Sequence, residues 1–438
     1  MRVFLAAIGL ALVVTYALRE TPGYVEINDP NSRFKGDFQH YVYWTQLVTQ
    51  GGIQAAYGGT WPETYAVYPP VPLYGFVVLG RMYRHFEDPT FDLDQAKDSL
   101  WLSAGFKVIA LVWHLLAGLA IYVWVRLAHG PWLAGVAGGL YVANPAALFD
   151  VAHWGQPDGA HSLFAVLAIG GLGLNLDVLA WGATALAALA KPQAYAILPL
   201  IVLAGLRQAR TEQLGLGIGV AAVTSLAVVS PFIVTGHLGE LLTLPTAIAS
   251  AMPFVSADAH NLWWLLIEPR GQNAIAVPDS LRLLGPLSYR AVAGGLVLAA
   301  FGLTYWLYWT RRASLAEAAA LGALGWFVFT TQAHENHLFF ALPLLALAWP
   351  ERRDLLLVFA LLSLTIFFNM ALHDQLLLRE FGRHPQDSLI KVLQQLNAAI
   401  NVVCFLVWAV AASLRPARAV VSRSVPQVYD ANAAPART

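Results

Sequence analysis

The sequence predicts an all-α polytopic membrane protein of about twelve transmembrane helices. Three observations predict it. Of the 438 residues, 58% are hydrophobic and only 12% charged, with a mean hydropathy of +0.58, whereas a soluble domain carries about 25% charged residues. Apolar runs approaching the ~20 residues that span a bilayer recur along the chain. Arginines gather between alternate runs, as the positive-inside rule demands of cytoplasmic connections. A net charge of zero and a pI near 7.2 give no footing for nucleic-acid binding. The sole cysteine, Cys404, lies in an apolar run, so no intramolecular disulfide can form. The excess of arginine over lysine, with abundant alanine and leucine, fits a GC-rich bacterial genome.

Arg2 precedes an apolar run at 3–18 that ends at Arg19-Glu20. Without a small-residue cleavage site it reads as an uncleaved first span rather than a signal peptide. Further spans are expected at 101–125, 132–149, 157–174, 176–190, 193–206, 214–234, 289–309, 315–332, 337–349, 354–371 and 393–413. Several are short, 337–349 most of all, which is tolerable where span ends rest in protein or in a water-filled cleft.

The segment 71–86 is apolar but interrupted by Pro72, Gly75 and Gly80, and it ends in Arg81, Arg84 and His85. With a cytoplasmic N-terminus, the inner connections hold Arg126, then Arg207 and Arg210, then Arg311 and Arg312, then Arg352 and Arg353; the tail adds Arg415, Arg418 and Arg423. A crossing by 71–86 would invert all of them, so it is assigned to the outer surface as an interfacial helix. The expected organisation is a membrane domain at 1–416, with a first outer loop at 19–100 and a second at 236–288. A cytoplasmic tail at 417–438, bearing Pro426 and Pro435, is expected to be disordered. No internal repeat stands out, which counts against an inverted-repeat transporter.

Under this topology every unusual polar cluster falls outside, although arginines alone set the orientation. Asp37 follows Gly36 and opens an amphipathic segment on which His40, Tyr41 and Trp44 share its face. It reads either as a helix N-cap or as a general base that activates a hydroxyl. Tyr68-Pro69-Pro70 makes a stiff turn into 73–86. His153-Trp154-Gly155-Gln156-Pro157-Asp158 reads equally as a helix start with a belt tryptophan, or as an aromatic platform with amide and carboxylate partners for sugar hydroxyls. Lys191, in Lys191-Pro192-Gln193, is an ionisable group between apolar runs. It either snorkels or neutralises an anionic headgroup such as phosphate. Asn261-Leu262-Trp263-Trp264 reads as an interfacial helix or a lipid-chain contact. His334-Glu335-Asn336-His337 is not the zinc-protease His-Glu-x-x-His pattern, and no third metal ligand accompanies its histidines; a role in donating to phosphate oxygens is favoured.

Together, Gly36-Asp37-Phe38, Tyr68-Pro69-Pro70, Trp154-Gly155-Gln156-Pro157-Asp158, Lys191-Pro192-Gln193, Asn261-Leu262-Trp263-Trp264 and His334-Glu335 resemble the GT-C superfamily of membrane glycosyltransferases over roughly residues 30–350. The closest likeness is to the bacterial relatives of the GPI-anchor mannosyltransferases. Dolichyl-phosphate-glucose-dependent glucosyltransferases share the first-loop aspartate and the His-Glu element.

The resemblance implies a GT-C-like bundle in which Asp37 is the catalytic base. Lys191, His334, Glu335 and His337 become candidates for holding the donor phosphate. His40, Tyr68, Trp154, Gln156, Asp158, Gln193, Asn261 and Trp264 would line the substrate site. The relatives often carry His-Glu-Arg-Tyr-Leu, whereas this chain has His334-Glu335-Asn336-His337-Leu338; the arginine is missing and His337 is the candidate to replace it.

The activity implied is inverting transfer of a hexose, mannose in the nearest relatives, from a polyprenyl-phosphate carrier to an acceptor hydroxyl. The acceptor would be a glycan, glycolipid or protein at the outer face of the bacterial cytoplasmic (inner) membrane. No cofactor is expected, no residue is assigned to a metal, and a divalent cation is left open. The competing readings are a lipid or glycan transporter or flippase, which would place its polar groups near the bilayer midplane, and a metal-dependent hydrolase built on His334 and His337.

Overall fold

The computed structural model of the chain describes residues 1–21, 23, 36–59, 65–207 and 211–417. Arg210, Arg418, Arg423 and the expected tail beyond residue 417 lie outside the described residues. Each expected span coincides with a helix or a helix pair. By length and composition, Leu100–His129, Glu212–Val234, Tyr289–Trp309 and Ser388–Ser413 are apolar and long enough to cross a membrane. A fifth crossing arises if Pro131–Val142 and Pro145–Trp154, bent by 44°, count as one. The remainder are apolar helices of 10–17 residues, so length alone does not fix twelve crossings. The bend has a local cause. Pro145 has no N–H to continue the preceding helix. Asn144 restarts the turn by accepting from the Ala146 and Ala147 amides, at 3.0 and 3.4 Å, and donates to Ser363 Oγ at 2.6 Å.

Two hydrophobic clusters organise the chain. The larger runs from Phe4 to Ala412 and is the core of the bundle. All eight residues of Ala341–Ala348 are buried in it. That burial explains why a span so short suffices: it is packed in protein and need not match the bilayer. Small residues let helices approach closely. Phe4 of Arg2–Ala17 lies over Gly138 and stacks on Tyr122 with ring centres 5.0 Å apart. Asp158–Gly173 lies so close to Leu100–His129 that a Cβ on Gly159 would sit 2.5 Å from the His114 backbone nitrogen. Lys107, buried within the long helix, donates to Leu18 O and to Thr21 O and Oγ1, closing the end of the first helix.

The second cluster gathers around the segment before the long helix. Asp37–Gly51 packs against Pro70–Phe86 through Phe38, Tyr41, Trp44 and Phe76, with Phe106 of the long helix beneath. The expected interfacial segment is thus a helix of 17 residues whose Arg81, Arg84 and His85 are exposed, standing outside the bundle core.

The segment 236–288 departs from expectation. It holds the helix Leu238–Ala251, a short helix Leu262–Ile267 and a two-stranded hairpin pairing Arg282 with Ser288. Trp263 and Trp264 are 1% and 4% exposed, so they are packing residues and not a membrane-surface belt.

The basic positions meet at one end of the bundle. Arg312 donates to Ser413 O and Arg415 O; Arg415 pairs with buried Glu317 and with Asp354; Arg352 also pairs with Asp354. Gly173, Arg207, Leu315 and Leu347 surround a common recess at this end. The helices that bring them there begin or finish, at their other ends, beside the polar clusters described next.

Gly159→Ala is expected to lower the thermal unfolding midpoint in detergent, at a cost of about 1–3 kcal/mol, because backbone cannot yield to the added methyl. Gly294→Ala, whose added methyl has nothing within 4 Å, is expected to leave the midpoint unchanged or raise it.

Candidate active site

At the end opposite the arginines lies a cavity of about 560 Å³, a volume suited to a small-molecule site. Its polar lining includes Asp37, His40, Trp154, Gln156, Lys191 and His337; Ile248, Met252, Val297, Phe301 and Trp326 supply apolar lining.

Asp37 is the first residue of its helix. Gly36, at φ +61°, is the N-cap, and no side chain caps this terminus. The N-cap reading of Asp37 is therefore corrected: its carboxylate serves contacts across the fold. Trp154 Nε1 donates to Asp37 Oδ2 at 3.1 Å and Gln156 Nε2 donates to the same oxygen at 2.5 Å. Oδ1 accepts no hydrogen bond among the described residues.

The turn that brings both donors to one oxygen is encoded locally. The helix Phe149–Trp154 ends at Gly155, whose φ of +86° suits glycine, and the Gly155 and Gln156 amides both donate to Asp150 O at 3.0 Å. Tyr68 OH donates to Gln156 Oε1 at 2.7 Å, and Tyr57 OH holds the Tyr68 carbonyl at 2.6 Å. Burial, with Asp37 and Asp158 nearby, pushes the Tyr68 phenol well above its ordinary range, so it stays protonated.

Lys191 reaches the cavity but is not an unpaired cation. Its ammonium donates to Asp158 Oδ1, and Asn336 Nδ2 donates to Asp158 Oδ2 at 3.2 Å. The ammonium also stands 5.6 Å from the centre of the Tyr68 ring. Asp158 is 1% exposed and lies beneath the cavity instead of lining it, a correction to its expected role.

His337 Nδ1 accepts from the His334 amide at 3.1 Å, which leaves its proton on Nε2 as a donor. His334 keeps 29% of its side chain accessible. Surrounding protein excludes bulk water and, with Lys191 close by, pushes its pKa down to about 4, so it is neutral at pH 7. Among the described residues no group of three or more His, Cys, Asp or Glu is arranged to hold a metal ion.

No protein-family profile matches this sequence, and no curated protein matches it. Solved structures do match in fold. ArnT from Cupriavidus metallidurans, bound to undecaprenyl phosphate, aligns with a TM-score of 0.51 at 13% identity over 93% of this chain and 76% of that one. The chain shares the fold of that structure. The apo form of the same ArnT aligns at 0.48, with 14% identity over 93% of this chain and 76% of that one. The Archaeoglobus fulgidus oligosaccharyltransferase aligns at 0.43, with 14% identity over 95% of this chain and 56% of that one.

On this scaffold the cavity brings together Asp37, His40, Tyr68, Trp154, Gln156, Lys191, Gln193, His334 and His337. Glu335 is wholly buried and does not line it. Asn261 and Trp264 do not line it either. Asn261 Oδ1 caps the helix carrying the tryptophans, while Nδ2 donates to Thr330 O at 3.1 Å. Trp264 packs on His260 and His373. Both anchor the segment 236–288 to the bundle.

Sequence reasoning left Thr330, Thr331, Gln332 and Trp326 unassigned, although all line the cavity. Gln332 sits at φ +64° and donates to Asp279 Oδ2 at 2.9 Å and Ala249 O at 3.1 Å, tying two loops together. Asp150, a lone acid after an apolar run, is wholly buried with its Oδ1 3.5 Å from Asn336 Nδ2.

Asp158→Asn is expected to destabilise the fold by about 3–5 kcal/mol, since it strands a buried ammonium. The double variant Asp158→Asn/Lys191→Met is expected to be more stable than that single variant. Thermal unfolding of purified protein checks both.

Proposed function

We propose that this chain is an inverting GT-C glycosyltransferase that moves a sugar from a polyprenyl-phosphate carrier to an acceptor hydroxyl at the outer face of a bacterial cytoplasmic membrane. One observation carries the reading. The Asp37 carboxylate opens on a cavity shared with Lys191 and His337, with Oδ2 fixed by two neutral donors and Oδ1 accepting nothing among the described residues. A base so held is oriented, and its second oxygen is available for a proton.

In the proposed step the acceptor oxygen attacks the anomeric carbon while its proton passes to Asp37 Oδ1. The bond from the anomeric carbon to the phosphate oxygen breaks, and the electron pair leaves with the carrier phosphate. That phosphate is already a good leaving group, so no strong acid is required. Lys191, whose charge Asp158 balances, contributes N–H donors more than net charge, and His337 Nε2–H adds another. The apolar wall of Ile248, Met252, Val297 and Phe301 offers contacts to the first isoprene units.

The fold neighbour ArnT is described as bound to undecaprenyl phosphate, which supports a polyprenyl phosphate as the carrier class. Mannose remains the sugar of choice on the sequence motifs. The position of the clusters at helix ends, beside a cavity and not mid-bundle, favours transfer over transport.

The test uses purified protein in detergent with a panel of radiolabelled polyprenyl-phosphate sugars and membrane-lipid acceptors. Transfer from one donor is expected, and mannosyl should head the panel. Asp37→Asn is expected to lower that transfer by about 10²–10⁴-fold while donor binding persists. Transfer near wild-type levels in Asp37→Asn overturns the base assignment; no transfer or binding with any donor overturns the activity.

A further inference from the structure

We propose that Tyr68 is a positioning residue: its hydroxyl sets the orientation of the Gln156 amide, so that nitrogen and not oxygen meets Asp37. The inference rests on Asp37 being the base, and it assigns to Tyr68 and Gln156 a role other than contact with substrate.

The chemistry of the donors leaves little choice. An ionised carboxylate only accepts, so the Gln156 group 2.5 Å from Asp37 Oδ2 has to be the NH₂. The amide oxygen then points to Tyr68, 2.7 Å away, and Tyr68 has to donate to it. With that proton committed, the Tyr68 oxygen can accept from Tyr41 OH at 3.3 Å. The chain therefore runs in one direction, from Tyr41 through Tyr68 and Gln156 to Asp37. An amide has two nearly isosteric orientations. Without a donor at Oε1, Gln156 can turn and set its oxygen against the carboxylate.

Tyr68 is well suited to prevent that. It is 8% exposed. Its backbone carbonyl is held by Tyr57, it is followed by Pro69-Pro70, and Trp44 meets its ring edge-on at 5.7 Å. Burial keeps its phenol protonated across the working range.

Two donors on one oxygen hold the Asp37 carboxylate in one orientation. Losing one, or facing an amide oxygen, frees the carboxylate to turn away from the proton it is to take.

Tyr68→Phe removes only the hydroxyl and keeps the ring that packs on Trp44 and faces Lys191. The measurement is kcat and donor KM, with the donor that the wild-type protein uses. The expected result is a kcat about ten- to a hundredfold lower with an unchanged donor KM. Gln156→Glu keeps an acceptor for the Tyr68 hydroxyl but sets an oxygen in place of NH₂ against Asp37, and is expected to lower kcat at least as far. A wild-type kcat in Tyr68→Phe overturns the positioning role. So does a wild-type kcat in Gln156→Glu, which decides the matter if the phenylalanine variant does not fold. In either case Asp37→Asn remains inactive and the proposed reaction stands. Failure of the reaction itself shows separately, as absence of transfer by the wild-type protein.

Discussion

A charge inside an apolar bundle has to be paired, and the pairing of Lys191 with Asp158 fixes where three distant segments meet. Asp158 opens one helix, Lys191 ends the turn after another, and Asn336 reaches down from the loop between two more to donate to the same carboxylate. Isolated in this environment, each charged group would cost several kcal/mol. Together they make the floor of the cavity. The opposite end repeats the device, where Arg415 neutralises Glu317, a residue with no exposure. The bundle is thus pinned at both ends by paired charge, and apolar packing of small residues fills the length between.

The carboxylate proposed as the base is supported differently. Asp37 rides on the aromatic cluster around the segment before the long helix, whereas Trp154, Gln156 and Lys191 come from the bundle. The site therefore exists only where the two hydrophobic clusters touch. This suits a substrate with one end in lipid, because the seam joins a polar wall, rich in amides and histidines, to an apolar wall from Leu238–Ala251 and Tyr289–Trp309. The loop 330–334 closes the seam, with Gln332 and Thr331 tied to Asp279 and Asp279 paired with Arg290.

Much of the architecture was legible because bilayer physics writes itself into a sequence as apolar run length and arginine placement. The helix positions followed from the first. The second groups basic residues that the fold does bring together, around Arg207 and the pairings of Arg312 and Arg415. Hydropathy could not say how many of the shorter helices cross, because a helix packed within protein, such as Ala341–Ala348, has no need of full span length. Nor could it separate two kinds of tryptophan. Trp263 and Trp264 have the flanks of a membrane-surface belt, yet both are sealed inside the fold.

By itself the sequence determined the helical class, the positions of the apolar helices and the segments where polar groups concentrate. Each depends on local composition or on one residue's intrinsic cost in an apolar medium. Only the tertiary structure decided what each polar group touches. Asp37 lies 117 and 119 residues from its two donors, and no periodicity reports a contact so distant in the chain. Lys191 looked like a cation awaiting phosphate until Asp158 proved to be its partner. Charge balance in a buried site is a property of neighbours in space, and the chain acquires those neighbours only by folding.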